Sequence, residues 1–352
     1  MKKTLIITLA SIAFVSCSQD ETVATMDRVA IEFDKVFVEN STSSRAATDL
    51  TAANLTDFAV YGSVVKGEQK GNIFNCQKVT GTQAGGYTYS PAQYWIPGAN
   101  YHFTAFAPYE NAKWTYTPAD GTDSQYGTTE AQRGTLTFSN GDAAASQDLL
   151  WAYQTAATEA AITKQPEAVS FSFLHLLSRV KFTFKNGFAT GSNIQLKVKS
   201  VEIADAHRQG TIEFDGTEMP ETWTAVNTAA EDQFKVPFGD AGTETNYAPQ
   251  ASASTDHFYL IPVAQASYTI KFTIDLYQAG VLLQEGIAKE TTVVAPTMKR
   301  GFSYEFKAEL NASNTSNDGP LQPIEFKVSG VEGWEDYTGV DATVNTQNPS
   351  NN

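Results

Sequence analysis

The sequence predicts an all-β protein made of β-sandwiches, and three observations predict it. Runs such as YTIKFTIDLY (Tyr268–Tyr277) and FSYEFKAEL (Phe302–Leu310) alternate apolar and polar residues with period two. That pattern gives a sheet with one wet and one dry face. Such segments recur at short spacing, separated by Gly, Pro, Asn and Asp turns, as sandwich strands do. The composition agrees: 41% hydrophobic, 12% aromatic and only 18% charged, with Thr, Ser, Asn, Ala and Gly abundant. This suits packed sheets and is poor for long helices. At 352 residues the chain is long enough for two ordinary domains.

The N-terminus reads as an export signal, residues 1–16. Lys2 and Lys3 precede an apolar run from Leu5 to Val15, too short to span a bilayer. It ends in FVSC, which places small Ser16 just before Cys17. A cysteine there is positioned for acylation and membrane anchoring by its lipid chains; the bland reading is an ordinary signal peptide with an incidental cysteine. Ser18-Gln19-Asp20-Glu21 follows as a short polar, acidic run.

Residues 17–45 read as a propeptide carrying the first strand. In Arg28–Val38, Val29, Ile31 and Phe33 share one face, and Ala30, Glu32 and Asp34 the other. Asn40 to Ser44 break the strand with a polar tether that ends at Arg45, exposed to a trypsin-like protease. The expectation is a temporary strand: cleavage between Arg45 and Ala46 would free it and let another subunit's strand replace it. The bland alternative is an ordinary loop arginine.

The N-terminal sandwich is expected over residues 46–163. Its strands are Phe58–Val65, a short and poorer Ile73–Val79, Tyr87–Tyr89 leading into Tyr94–Pro97, Tyr101–Ala107, Gly134–Phe138 and Leu149–Tyr153. Thr115–Gln132 reads as a long polar loop, and Thr155–Glu167 as the connector between domains. The second sandwich is expected over residues 164–338. Val169–Phe184 opens it as one long strand, with a parity switch near Leu177-Ser178 that suggests a bulge. Ile194–Ala204, Thr211–Phe214, Phe234–Phe238, His257–Val263, Tyr268–Tyr277, Gly301–Leu310 and Ile324–Val328 follow. Asp215–Ala230 reads as a polar loop with an isolated Trp223, and residues 339–352 as a polar tail.

Signs of chemistry are sparse. The four histidines (His102, His175, His207, His257) form no i, i+3 or i, i+4 pair, and no CxxC, HExxH, GxSxG or Gly-rich phosphate loop occurs. No catalytic set, cofactor site or metal site is therefore expected. His175 reads as a buried structural histidine; Asp148, Glu159 and Glu167 read as solvated loop acids; Cys76 reads as a half-buried spacer. Trp95, Trp114, Tyr116 and Trp223 are candidates for stacking on a sugar or anchoring a host protein, against a plain role in their own domain's core. Loss of Lys2 and Lys3 with the signal segment takes the formal charge from −15 to −17. Such a surface repels phosphate backbones, so nucleic acid is disfavoured as a partner.

Several segments together resemble one family. The FVSC box, then IEFDKVFVENSTSSRAA and LTDFAVYG, resemble the start of the fimbrillin family, the subunits of type V pili. YWIPGANYHFTAFAPY resembles its aromatic strand pair; DLLWA with VSFSFLHLLSRVKFTFKN resembles its domain junction. MKRGFSYEFKAEL and IEFKVSGVEGWED resemble its closing strands. The resemblance implies two tandem transthyretin-like β-sandwich domains and a lipoprotein precursor lipidated at Cys17 and held on the outer membrane, surface-exposed. It implies cleavage by an arginine-specific protease, best matched by Arg45-Ala46, and assembly with other fimbrial subunits by β-strand exchange. One departure stands out. Stalk subunits donate a strand, usually a C-terminal extension, and the alternation of Tyr337, Val340 and Val344 after Trp334 is weak. A tip or accessory subunit in cell adhesion is therefore expected more than a stalk subunit. The alternative is a monomeric lipid-anchored surface protein that binds a glycan or host protein.

Overall fold

The computed structural model describes residues 28–38, 50–109, 113–118, 134–141, 146–214, 222–226, 234–236, 247–294, 298–315, 324–330 and 335–336. Cys17, Arg45 and Ala46 lie outside the described residues, as do Trp334 and the tail 339–352. The described chain is almost entirely strand, as its period-two patterning requires. Among the described residues no helix is long and apolar enough to cross a membrane, and no group of three metal-ligating side chains occurs.

The strands of the first half are β1 (Phe33–Val38), β2 (Asp57–Lys66), β3 (Gln69–Thr82), β4 (Gly86–Thr88), β5 (Asn100–Ala107), β6 (Trp114–Pro118), β7 (Gly134–Ser139), β8 (Leu150–Ala157) and β9 (Val169–His175). Seven of them close into a barrel in the order β1-β4-β3-β2-β5-β8-β9. All pairs are antiparallel except the seam, where β1 runs parallel to β9. The inward side chains form one core, with Phe58, Phe74, Tyr101, Phe103, Phe171 and Phe173 all at most 3% exposed.

The second half contains β10 (Ser178–Asn186), β11 (Ile194–Ile203), β12 (Gln209–Phe214), β13 (Thr224–Ala225), β14 (Phe234–Val236), β15 (Ser252–Ser254), β16 (Phe258–Leu260), β17 (Ser267–Gln278), β18 (Val281–Val294), β19 (Phe302–Leu310), β20 (Phe326–Gly330) and β21 (Glu335–Asp336). The order β15-β10-β19-β20, extended by β16 and β21, forms one sheet, and β14-β11-β17-β18 the other. Phe182, Phe184 and Phe306 of the first meet Leu196, Ile270, Phe272 and Ile274 of the second in a single core. This is a sandwich, in which each sheet buries its apolar face against the other.

A third layer joins the halves. β12 and β13 pair with β7 and β6 in the order β13-β12-β7-β6, so strands from both halves share one ladder. Its core holds Trp114, Tyr116, Phe138, Ile212, Phe214 and Trp223 against Phe106 and Trp151 of the barrel and Tyr259 of the sandwich.

Four expectations change. The long Val169–Phe184 segment is two strands in two different sheets; its parity switch at Leu177-Ser178 is the crossing from barrel to sandwich. The expected division at residues 163 and 164 therefore falls before β9, which is hydrogen-bonded into the first barrel. Thr115 to Pro118 are strand rather than loop, because Trp114 and Tyr116 face the third core. β18 carries no clean alternation and escaped the sequence reading, yet it pairs along most of β17 through a tight turn at Ala279 and Gly280, both at positive φ.

Candidate functional site: the seat of the first strand

The feature with the most to say about function is the way the N-terminal segment sits in the barrel. Val29, Ile31 and Phe33 point inward, at 4%, 1% and 4% exposure, while Glu32 and Asp34 face out. The sequence parity is thus correct up to Phe33. The pairing with β9 then slips between Phe33 and Val36, so Asp34 and Lys35 both face out and the inward set resumes at Val36 and Val38. Phe37 is left outside at 55% exposure.

The backbone is held on both sides. Toward one neighbour, the Ile31 amide donates to the Gln93 carbonyl at 2.8 Å, and the Trp95 amide donates to the Val29 carbonyl at 2.9 Å. Toward the other, the Val169 amide donates to the Glu32 carbonyl at 2.8 Å, and β9 continues the parallel pairing to Phe173. Side chains complete the clasp. The Tyr89 hydroxyl donates to the Ile31 carbonyl at 2.7 Å, the Gln165 side-chain amide donates to the Ala30 carbonyl at 3.3 Å, and the Val36 amide donates to Gln83 Oε1 at 3.1 Å. Burial raises the pKa of the Tyr89 hydroxyl, only partly offset by its contact with Gln93, so it stays a neutral donor.

Phe33 is the centre of this seat. Its ring stacks on Phe171 at 5.8 Å and 20°, and meets Phe58, Tyr89 and Phe103 edge-on at 6.3, 5.4 and 6.3 Å. Phe74 stands tilted against it at 5.6 Å. Withdrawing residues 28–38 would remove this ring, bare the edges of β4 and β9, and leave an apolar trough floored by aromatic rings. Full burial of one such side chain is worth about 1.5–3 kcal/mol, so a strand with five inward apolar residues is a strong ligand for its own groove.

The other candidates sort differently. Trp95, Trp114, Tyr116 and Trp223 are all buried, at 5%, 3%, 6% and 2% exposure. Buried in this way, they serve the cores of the fold, the plainer of the two roles the sequence offered, and present no stacking face. Trp223 also corrects the reading of an isolated loop tryptophan: its indole NH donates to the Leu176 carbonyl at 2.9 Å, across the junction. Cys76 is partly buried, as expected, and packs at the rim of the third core.

His175 is buried at 3% exposure, as the sequence suggested, but Asp148 is not a solvated acid. It is 1% exposed; its carboxylate lies 3.0 Å from His175 Nδ1 and accepts the Leu50 and Leu149 amides at 3.2 and 2.9 Å. Twenty-seven residues separate the pair, a distance at which no local pattern could have joined them. Fully buried Arg179 donates from Nε to the Ser303 hydroxyl at 2.7 Å, and the Ser178 hydroxyl donates to the Lys299 carbonyl at 2.8 Å. The His-Leu-Leu-Ser-Arg step is therefore a polar rivet at the crossing between the halves. His175, Asp148, Ser178 and Arg179 are all buried, at 3% exposure or less.

With this architecture in view, the comparisons with known proteins are specific. The sequence profile described as fimbrillin-like matches residues 44–327, most of the chain, and the protein belongs to that family. Membership makes it a fimbrillin-like structural protein and not an enzyme. No curated protein matches. Among solved structures it is similar to a fimbrial protein from Bacteroides vulgatus, with TM-score 0.61 and 16% identity over 86% of this chain and 99% of that one. A candidate cell adhesion protein from Bacteroides uniformis follows at TM-score 0.48 and 16% identity, over 86% of this chain and 97% of that one. The fimbrial anchor protein Mfa2 from Porphyromonas gingivalis aligns at TM-score 0.36 and 11% identity, over 86% of this chain and 97% of that one.

Proposed function

We propose that this chain is made as a lipid-anchored precursor of a fimbrial subunit and is activated by losing its first strand. Lipid on Cys17 holds the precursor at the outer membrane. An arginine-specific protease cuts between Arg45 and Ala46, residues 28–38 leave the barrel, and a strand from another subunit takes the groove. The single observation that carries this reading is the seam: β1 and β9 form the one parallel pair of the barrel, and β1 is laddered to β4 at one residue pair, Phe33 with Tyr87. Its removal opens the barrel without cutting any other ladder. The sequence from β1 to Arg45 is a polar Ser/Thr tether, suited to a protease. The weak alternation of the tail after Trp334 favours a tip or accessory place, in cell adhesion, over a stalk place.

The competing reading, a monomeric lipid-anchored binder of a glycan or host protein, loses its main support because the four aromatic candidates are buried. Intact mass and N-terminal sequencing of protein stripped from the cell surface separate the two. A mature chain starting at Ala46 is the expected result, and Arg45→Ala should abolish it. A chain starting at acylated Cys17 with residues 28–38 still attached would sink the exchange reading.

A further inference from the structure

We infer that the groove accepts an incoming strand only if it fits a fixed ten-residue template, and that the occupant is a strand of another subunit carrying an aromatic ring at the fifth position. This rests on the strand-exchange reading and adds to it the recognition rule of the partner. The template is read from residues 29–38. Apolar side chains fall at positions one, three, five, eight and ten, as Val29, Ile31, Phe33, Val36 and Val38 do. The strand runs parallel to β9. Position five enters a socket walled by Phe58, Phe74, Tyr89, Phe103 and Phe171, which only a planar ring fills. Two outward residues must follow it, because the register slips there and Gln83 receives the amide of position eight. Positions three and eight must have a free N–H for Gln93 and Gln83, which excludes proline at both. A strand with unbroken period two would turn its last two apolar residues to solvent.

The chain's own tail matches poorly. Set with Val340, Ala342 and Val344 at positions one, three and five, it puts Gln347 and Pro349 at eight and ten; set with Tyr337 at five, it puts Val340 and Ala342 at eight and ten but Gly333 and Glu335 at one and three. Val344 would leave most of the aromatic socket empty, and Gln347 would bury an amide among apolar side chains. Neither frame reproduces the template in full, so residues 333–349 fit it less well than residues 29–38 do.

The test uses the full chain with Asn40–Ser44 replaced by a site-specific protease sequence. After cutting, uptake of fluorescent synthetic strands is followed by anisotropy, and departure of the resident strand by mass. The strand with the sequence of residues 28–38 should enter. The same strand with Phe33→Ala should bind about a hundredfold more weakly. Deleting Lys35 from it, which restores plain alternation, should weaken it as well, and a strand of residues 340–349 should not compete. Binding of the Phe33→Ala strand or the 340–349 strand within about threefold of the parent would overturn the template while leaving exchange intact. Departure of the resident strand with no uptake of any strand would also overturn the template. A resident strand that never leaves, with no uptake, would overturn the exchange reading and the template together.

Discussion

Phe33 shows how much can hang on one side chain. It touches five rings, so truncation leaves a void that stiff aromatic walls cannot collapse into. Phe33→Ala should cost the precursor about 3–5 kcal/mol in urea unfolding. A chain already matured at Ala46 contains no Phe33 and should not respond. Asp148 carries a different burden: it satisfies His175 and two backbone amides at once. Asp148→Ala should cost about 1–3 kcal/mol, since it strands buried donors, and a loss of less than a few tenths in chemical denaturation would refute that role. Glu305, on the outer face of the sandwich, links stability to pH. Burial raises its pKa, but the Thr183 hydroxyl at 2.6 Å, Lys307 and Lys181 outweigh that and hold it below the ordinary value of 4.5. A carboxyl lowered in the folded state stabilises above its unfolded pKa, and the gain drains away as pH falls through the folded value. Glu305→Gln should therefore lower the urea midpoint at neutral pH, and the gap from the natural chain should narrow progressively as the pH falls below the ordinary carboxylate range.

At the scale of elements, β4 is the wall of the groove, and it is only three residues long. Gly81 of β3 lets it approach closely: a Cβ on Gly81 would collide with the Gly86 carbonyl oxygen and with Tyr87 Cα at 2.7 Å. These are backbone atoms that cannot swing aside. Gly81→Ala should push β4 away from β3 and cost about 1–3 kcal/mol, with accelerated loss of the cut first strand as the more telling readout. The approach to β1 was readable because Val29, Ile31 and Phe33 alternate cleanly. Its slip at Asp34-Lys35 was not, since a bulge is set by what the neighbouring strand presents. β6 was hidden for a related reason. Five residues next to a polar stretch look like loop until β7 is there to pair with them.

For the whole molecule, the third layer is the decisive feature. The ladder of β7 with β12 runs over six residue pairs, and its core takes side chains from barrel and sandwich alike. The halves should therefore unfold together. Phe214→Ala, which removes a ring packed on Phe106, Tyr116 and Trp151, should lower the thermal midpoint reported by probes in both halves. Two well-separated calorimetric transitions in the natural chain would contradict this coupling.

What the amino-acid order determined by itself was everything that depends on neighbours in sequence. It carried the all-β class, the inward facing of Val29, Ile31 and Phe33, and the buried character of His175, because alternation is a local property of an extended chain; the strand expected over Arg28–Val38 is regular only from Phe33. The tertiary structure alone decided what depends on distant residues meeting. The partner of His175 lies on a segment 27 residues away, and Trp223 is buried by strands from both halves. Likewise β9 belongs to the barrel and not to the sandwich that follows it, because its edge is completed by β1, more than 130 residues earlier in the chain. Pairing across such separations is chosen by the burial it achieves once the whole chain has closed, and no short stretch of sequence contains that information.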